Sequence, residues 1–247
     1  MNWLFLRGLV REQRHWAGFD TQFERGFPGS KVHCLDLPGI GSEFGRPSPL
    51  TISGITDDVR GGWLALRERH PGPWSLFTIS LGSMVGLDWV SRFPEDFRRI
   101  VVINTSAANL SPPWKRLRLD RFRDFLEIGR ARTTLEREKI ILGFTAGLRP
   151  DRDRLAEEWA AISLEPLARA RLFAEQLTAA AAFRLPRLVS VPVLVLRSLG
   201  DRLVDPSCSE KVAAALRAPM KTHPAGGHDL PLDAPDWVIE QIANWDG

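Results

Sequence analysis

Four short apolar runs, Trp3–Leu6, Lys31–Leu35, Trp74–Ile79 and Ile100–Ile103, constrain this chain more than any other feature. Each is four to six residues of mostly Val, Ile, Leu, Phe or Trp, and each is bounded by Gly, Pro, Asn or Ser, the pattern of a strand buried on both faces. Helical patterns at Thr56–Arg69 and Gly82–Arg92 separate them; the first ends at His70-Pro71-Gly72-Pro73 and the second at Phe93-Pro94. Strands alternating with helices predict an α/β fold, a mostly parallel sheet flanked by helices.

The alternation stops after Asn104-Thr105-Ser106 and resumes at Val191–Leu196, with Lys221–Pro224 as a last strand and Pro235–Trp245 as a last helix. Between them the chain reads helical. Leu119, Phe122 and Leu126 share one face, as do Leu155, Trp159 and Ile162, and Pro112-Pro113, Gly147 with Pro150, and Pro166 cut the stretch into about four helices. The expected organisation is a core of residues 1–108 and 185–247, with an inserted all-helical cap of 109–184.

Composition narrows the function. With 44% hydrophobic and 26% charged residues the chain is an ordinary globular protein, and no apolar run approaches the roughly 20 residues of a membrane span. Arg7, Gly8 and Arg11 interrupt the apolar start too early for a secretory signal, which predicts a cytoplasmic protein. A balance of 33 basic against 30 acidic residues leaves no single-sign surface for nucleic acid. Cys34 and Cys208 lack redox or zinc spacing and read as buried, reduced thiols. The Gly39-x-Gly41 pair lacks the rest of a dinucleotide fingerprint, so neither an organic cofactor nor a metal is implied. No tyrosine occurs, which excludes any mechanism needing a phenol.

The segment Thr78-Ile79-Ser80-Leu81-Gly82 runs from a strand into a helix and approximates Gly-x-Ser-x-Gly, where small flanking residues permit a sharp turn that exposes the serine. That turn also sets the hydroxyl at a helix N-terminus, whose free N–H groups favour developing negative charge. Further along come Gly200-Asp201 after the late strand and Gly226-Gly227-His228 before the last helix. Asp205 and Asp229 compete with Asp201 as the acid. His15, His33, His70 and His223 have no comparable partners, and Asp36 and Gly39 read as turn residues.

The order Ser, Asp, His, with Leu6-Arg7-Gly8, Asp36-Leu37-Pro38-Gly39, Phe93-Pro94, Ile103-Asn104-Thr105-Ser106 and Leu232-Asp233-Ala234-Pro235, resembles the α/β-hydrolase superfamily over nearly the whole chain. The resemblance implies a carboxylesterase-like serine hydrolase. Ser80 would be the nucleophile, His228 the base and Asp201 the acid that orients it. The backbone N–H groups of Leu9 and Leu81 would form the oxyanion hole. Two positions depart from the family pattern. Thr78 stands where Gly is usual, crowding the turn, and Arg7 stands where a loop-bracing His is usual, so that it either braces the loop or points a charge at the entrance.

The implied substrate is a small-molecule ester or thioester. Residues 115–139 hold nine basic and five acidic residues, a rim for an anionic or carrier-bound acyl group such as an acyl-CoA or acyl-carrier protein, or else a solvated helical face. Arg7, Trp114, Arg118, Arg121, Phe122 and Phe125 are the expected substrate contacts. Acyl transfer and carbon–carbon bond hydrolysis use the same triad, and a non-catalytic binding protein of this fold is the reading from another class.

Overall fold

The computed structural model describes residues 1–118, 122–163 and 166–246, and the side chains of 122–125 and 166 fall outside that description. In chain order the elements are β1 (Asn2–Leu6), α1 (Phe19–Gly26), β2 (Lys31–Leu35), α2 (Ile52–Arg69), β3 (Trp74–Ile79), α3 (Leu81–Arg92), β4 (Ile100–Ile103), α4 (Pro113–Arg116), α5 (Phe122–Arg130), α6 (Thr134–Thr145), α7 (Arg152–Ile162), α8 (Pro166–Ala182), β5 (Val193–Ser198), α9 (Ser207–Leu216), β6 (Met220–His223), α10 (Leu230–Asp233) and α11 (Pro235–Ala243). The six strands form one sheet in the order β2-β1-β3-β4-β5-β6, and every pairing is parallel.

Strand alternation explains how both faces are covered. Leu4, Leu6, Leu76, Ile100, Val102 and Val195 turn to one face, where Ile55, Val59 and Trp63 of α2 and Val85 and Trp89 of α3 meet them. Trp3, Phe5, Phe77, Val101, Ile103, Leu194 and Leu196 turn to the other, against Phe19 and Phe23 of α1 and Val238 and Ile242 of α11. Among the described residues, no helix is long and apolar enough to cross a membrane.

The runs at residues 31–35, 74–79 and 100–103 form strands at the bounds expected of them. The late strand begins at Val193 instead of Val191 and extends to Ser198, because Pro192 lacks the N–H a ladder needs while its carbonyl accepts from Ile100. Helix α2 starts at Ile52, four residues before the apolar periodicity does, because Thr51 Oγ1 accepts from the Gly54 N–H at 3.1 Å and caps it. Among the described residues five helices lie between β4 and β5, where about four were expected, α4 being a single turn begun by Pro113.

The strand order reverses between β1 and β3. Chains leaving the carboxyl ends of these two neighbours diverge, and a crevice opens above them. Arg7–Arg11 follow β1 and Ser80 follows β3, so both enter that crevice.

Candidate active site

Ser80 sits between the last residue of β3 and the first of α3 with φ 56° and ψ −117°, a left-handed conformation costing a non-glycine residue about 1–3 kcal/mol. Its surroundings hold it there. Its N–H donates to Ile103 O at 2.8 Å, and its carbonyl accepts from Thr105 Oγ1 at 3.0 Å. The bend is possible because Gly82 has no side chain: a Cβ there would stand 2.5 Å from Leu6 O and 2.6 Å from Arg7 O.

Thr78 is accommodated in two ways. Its hydroxyl donates to Val101 O at 2.8 Å on the neighbouring strand and lies 3.1 Å from Ser83 Oγ. Its methyl occupies space left by Gly86, where a Cβ would come within 2.9 Å of Thr78 Cγ2. The bulk that crowds the elbow is thus matched by a missing side chain one helical turn beyond it.

Of the three candidate acids, Asp201 is the one brought to the histidine. Its Oδ2 stands 2.7 Å from His228 Nδ1, while Oδ1 accepts from the N–H groups of Leu203 and Val204 at 2.8 and 2.9 Å. Asp205 instead accepts from the Ser207 N–H, and Asp229 pairs with Arg7. The histidine loop approaches the acid loop closely because Gly200 has no Cβ to strike Ala225 O, 2.5 Å from where one would be. Asn104, at φ 45°, donates to His228 O at 2.8 Å and to Ser198 Oγ at 2.9 Å, tying the histidine loop to β4 and β5. The sequence carries no periodic signal for such a clip.

Arg7 braces a loop. Its guanidinium is buried and forked on Asp229, with Nη1 to Oδ1 at 3.1 Å and Nη2 to Oδ2 at 2.5 Å, and it lies over the Trp16 ring at 4.6 Å. The residue after His228 is therefore anchored to the residue before Gly8. Among the described residues, no hydrogen bond occupies the N–H of Leu9 or of Leu81, whereas that of Val10 donates to Gln176 Oε1 at 2.8 Å.

A cavity of about 420 Å³ joins these parts. Ser80 and His228 line it together with Arg7, Gly8, Leu9 and Val10 from the loop after β1; α6 contributes Arg137, Ile141, Phe144 and Thr145, and α8 contributes Arg169, Ala170 and Phe173. Beside it, Glu138 is fully buried between Arg11 and Arg169, at 2.9 and 2.8 Å. Burial alone would raise the Glu138 carboxyl, but the two guanidiniums outweigh it and bring the pKa down to about 2. His15, edge-on to Trp159 at 4.7 Å, is pushed well below the usual histidine range, first by burial and then by the charges of Arg11 and Arg7.

Of the other expected substrate contacts, Trp114 and Arg118 have described side chains. Trp114 is 62% exposed and does not line the cavity. Arg118 donates to the Asp201 carbonyl at 3.1 Å from outside it. Arg121 lies outside the described residues, as do the side chains of Phe122 and Phe125. At the start of the basic run, Arg116 donates to the Ala180 and Ala181 carbonyls at the end of α8, and Lys115 reaches Ser207 Oγ at 3.2 Å. Sequence periodicity does not single out Arg11, Glu138 or Arg169, which are far apart in the chain.

A strained serine at the switch point of a parallel sheet, followed by an Asp and then a His, is the architecture of one class of enzymes. The profile described as "Alpha/beta hydrolase family" matches residues 3–241, and the chain belongs to that family. Among solved structures it is similar to 2-hydroxy-6-oxo-6-phenylhexa-2,4-dienoate hydrolase from Rhodococcus sp. strain RHA1, with a TM-score of 0.78, 19% identity, and coverage of 98% of this chain and 89% of the other. It is similar also to a thermophilic esterase from Thermogutta terrifontis in a malate-bound structure (TM-score 0.71, 18% identity, 99% and 89% covered). A third is N-formylmaleamic acid deformylase from Pseudomonas putida S16 (TM-score 0.69, 15% identity, 98% and 91% covered). No curated protein matches the sequence significantly.

Proposed function

We propose that this α/β-hydrolase is a serine hydrolase that cleaves a small-molecule ester or thioester through an acyl-enzyme intermediate. Ser80 Oγ attacks the substrate carbonyl as its proton passes to His228 Nε2, whose far nitrogen is held by Asp201. The alcohol or thiol leaves with that proton. Water then attacks the acyl-serine, giving up a proton to His228, and release of the acid returns the proton to Ser80. The N–H groups of Leu9 and Leu81 hold the oxyanion in both steps. Residues 109–184 act as a cap over the core of 1–108 and 185–247, with α6 and α8 walling the acyl pocket.

The observation that carries this reading is Ser80 at φ 56°, at the N-terminus of α3, in one cavity with a histidine anchored 2.7 Å from a buried aspartate. The similar structures, an esterase, a dienoate hydrolase and a deformylase, support ester or related acyl chemistry. Intact-protein mass after treatment with a small fluorophosphonate tests it. Wild type is expected to gain one adduct and to hydrolyse short p-nitrophenyl esters, and Ser80→Ala to do neither. A folded wild type that gains no adduct and turns over no ester would overturn it in favour of a ligand-binding role.

A further inference from the structure

The cavity has more positive charge than the proposed chemistry requires. Arg11, Arg137 and Arg169 all line it, and the acid among them, Glu138, is already shared by Arg11 and Arg169. Among the described residues, three guanidiniums against one carboxylate leave two positive charges in excess at this end of the pocket. Among the described residues, Arg7 and Asp229 are the remaining charged pair that lines it, and they neutralise each other.

Nor are the donors used up. Arg11 is only 9% exposed, and its Nη1 is buried without a hydrogen-bond partner. Nη1 of Arg137 is likewise buried and unpartnered among the described residues. A buried guanidinium nitrogen lacking an acceptor costs stability unless something else supplies one. The planar fork suits a carboxylate, which takes two parallel N–H donors and brings the missing negative charge. Arg11 is pre-positioned for this, since its guanidinium pairs with Glu138 and lies over the Trp159 ring, at 4.6 Å from the ring. Ile141, Phe144 and Phe173 give the lining an apolar part, and along α6 Ile141 and Phe144 stand between Arg137 and Thr145, whose carbonyl accepts from the Asp229 N–H next to His228.

We infer that Arg11, Arg137 and Arg169 form a carboxylate subsite, and that the substrate is a small ester carrying a free carboxylate separated from the scissile carbonyl by a short apolar spacer. This rests on the serine-hydrolase reading for the reaction but not for the binding. The cavity volume, about 420 Å³, suits a spacer of a few methylenes rather than a long acyl chain. The subsite sets which ester is held, and Ser80 does the same chemistry on any ester that enters.

The test compares mono-p-nitrophenyl adipate with its methyl ester, which differ only by the free carboxylate. Wild type is expected to prefer the anionic ester at least tenfold in kcat/KM, and Arg137→Gln to collapse that ratio to within about threefold. Among the described residues Arg137 has no partner to leave stranded, so its variant is expected to melt like wild type. Calorimetry on Ser80→Ala with monomethyl adipate reads the subsite without turnover: binding is expected, and at least tenfold weaker binding when Arg137→Gln is added. Equal kcat/KM on the two esters, or monomethyl adipate binding that ignores Arg137, would overturn the carboxylate subsite while leaving ester hydrolysis standing. Absence of both turnover and fluorophosphonate adduct would instead sink the hydrolase reading, with the calorimetry still deciding the subsite.

Discussion

The elbow at Ser80 and the wall formed by α6 and α8 face each other across one cavity, yet they are built in opposite ways. The elbow is held by backbone: Ser80 N–H on Ile103 O, Gly82 against the Leu6 and Arg7 carbonyls, and Thr78 fitted to the space at Gly86. The opposite wall is held by side-chain charge, with Glu138 buried between two arginines that belong to different segments of the chain. Backbone geometry tolerates few sequences and preserves one piece of chemistry, whereas a side-chain cluster can be exchanged residue by residue. The proposed reaction therefore lives on the elbow and the proposed selectivity on the wall.

That contrast is open to experiment. The largest effect is expected from Asp201→Asn, which keeps the shape but leaves the His228 ring without its anchoring acceptor; kcat is expected to fall by about 10⁴ with little change in melting temperature. A fall of less than tenfold would remove Asp201 from its proposed role. Arg7→Met strands the buried Asp229 beside His228, and denaturant titration is expected to show a loss of about 3–5 kcal/mol. The double variant Arg7→Met with Asp229→Leu is expected to recover most of it, because no buried charge is left unpaired.

Within the elbow, Gly86→Ala is expected to cost about 1–3 kcal/mol by overpacking. The penalty should shrink in a Thr78→Ser background, which lacks the methyl that a new Cβ would meet at 2.9 Å. Additive losses would show that the two positions are not matched. The smallest effect concerns the wall and acid. Glu138 is held at about 2 in the folded protein against 4.5 ordinarily, so its contribution is present above pH 4.5 and lost as pH falls toward 2. Between pH 6 and 3.5, wild type is expected to lose on the order of 1–2 kcal/mol more than Glu138→Gln does, since the amide cannot titrate. Parallel pH profiles for the two proteins would contradict the buried ionised pair.

Much of the core was legible because its signals are local. A strand buried on both faces leaves an apolar run in the sequence, so residues 31–35, 74–79 and 100–103 could be read directly. The serine two residues before Gly82 was legible because a tight strand-to-helix turn needs a small residue there, even with Thr78 crowding its other side. The wall was not legible, for the converse reason. Charge density along residues 115–139 was open to a basic rim or a solvated helical face; Lys115, Arg116 and Arg118 reach oxygens of Ser207, Ala180, Ala181 and Asp201, while Arg137 of the same run lines the cavity. The arginines that do face the cavity come from the loop after β1, from α6 and from α8.

The sequence by itself determined the parallel sheet, the elbow, and the three residue types that follow one another along the chain. The sheet and the elbow depend on hydrophobic period and turn chemistry, which act over a few residues, whereas the three residue types were read from the resemblance to a family. Only the tertiary structure decided that Asp201 rather than Asp205 or Asp229 meets His228, that Arg7 is neutralised by Asp229, and that Arg11, Arg137 and Arg169 converge on one pocket around Glu138. Each of those outcomes depends on distances between segments far apart in the chain, and a charge's neighbours in space, not in sequence, fix what it can bind.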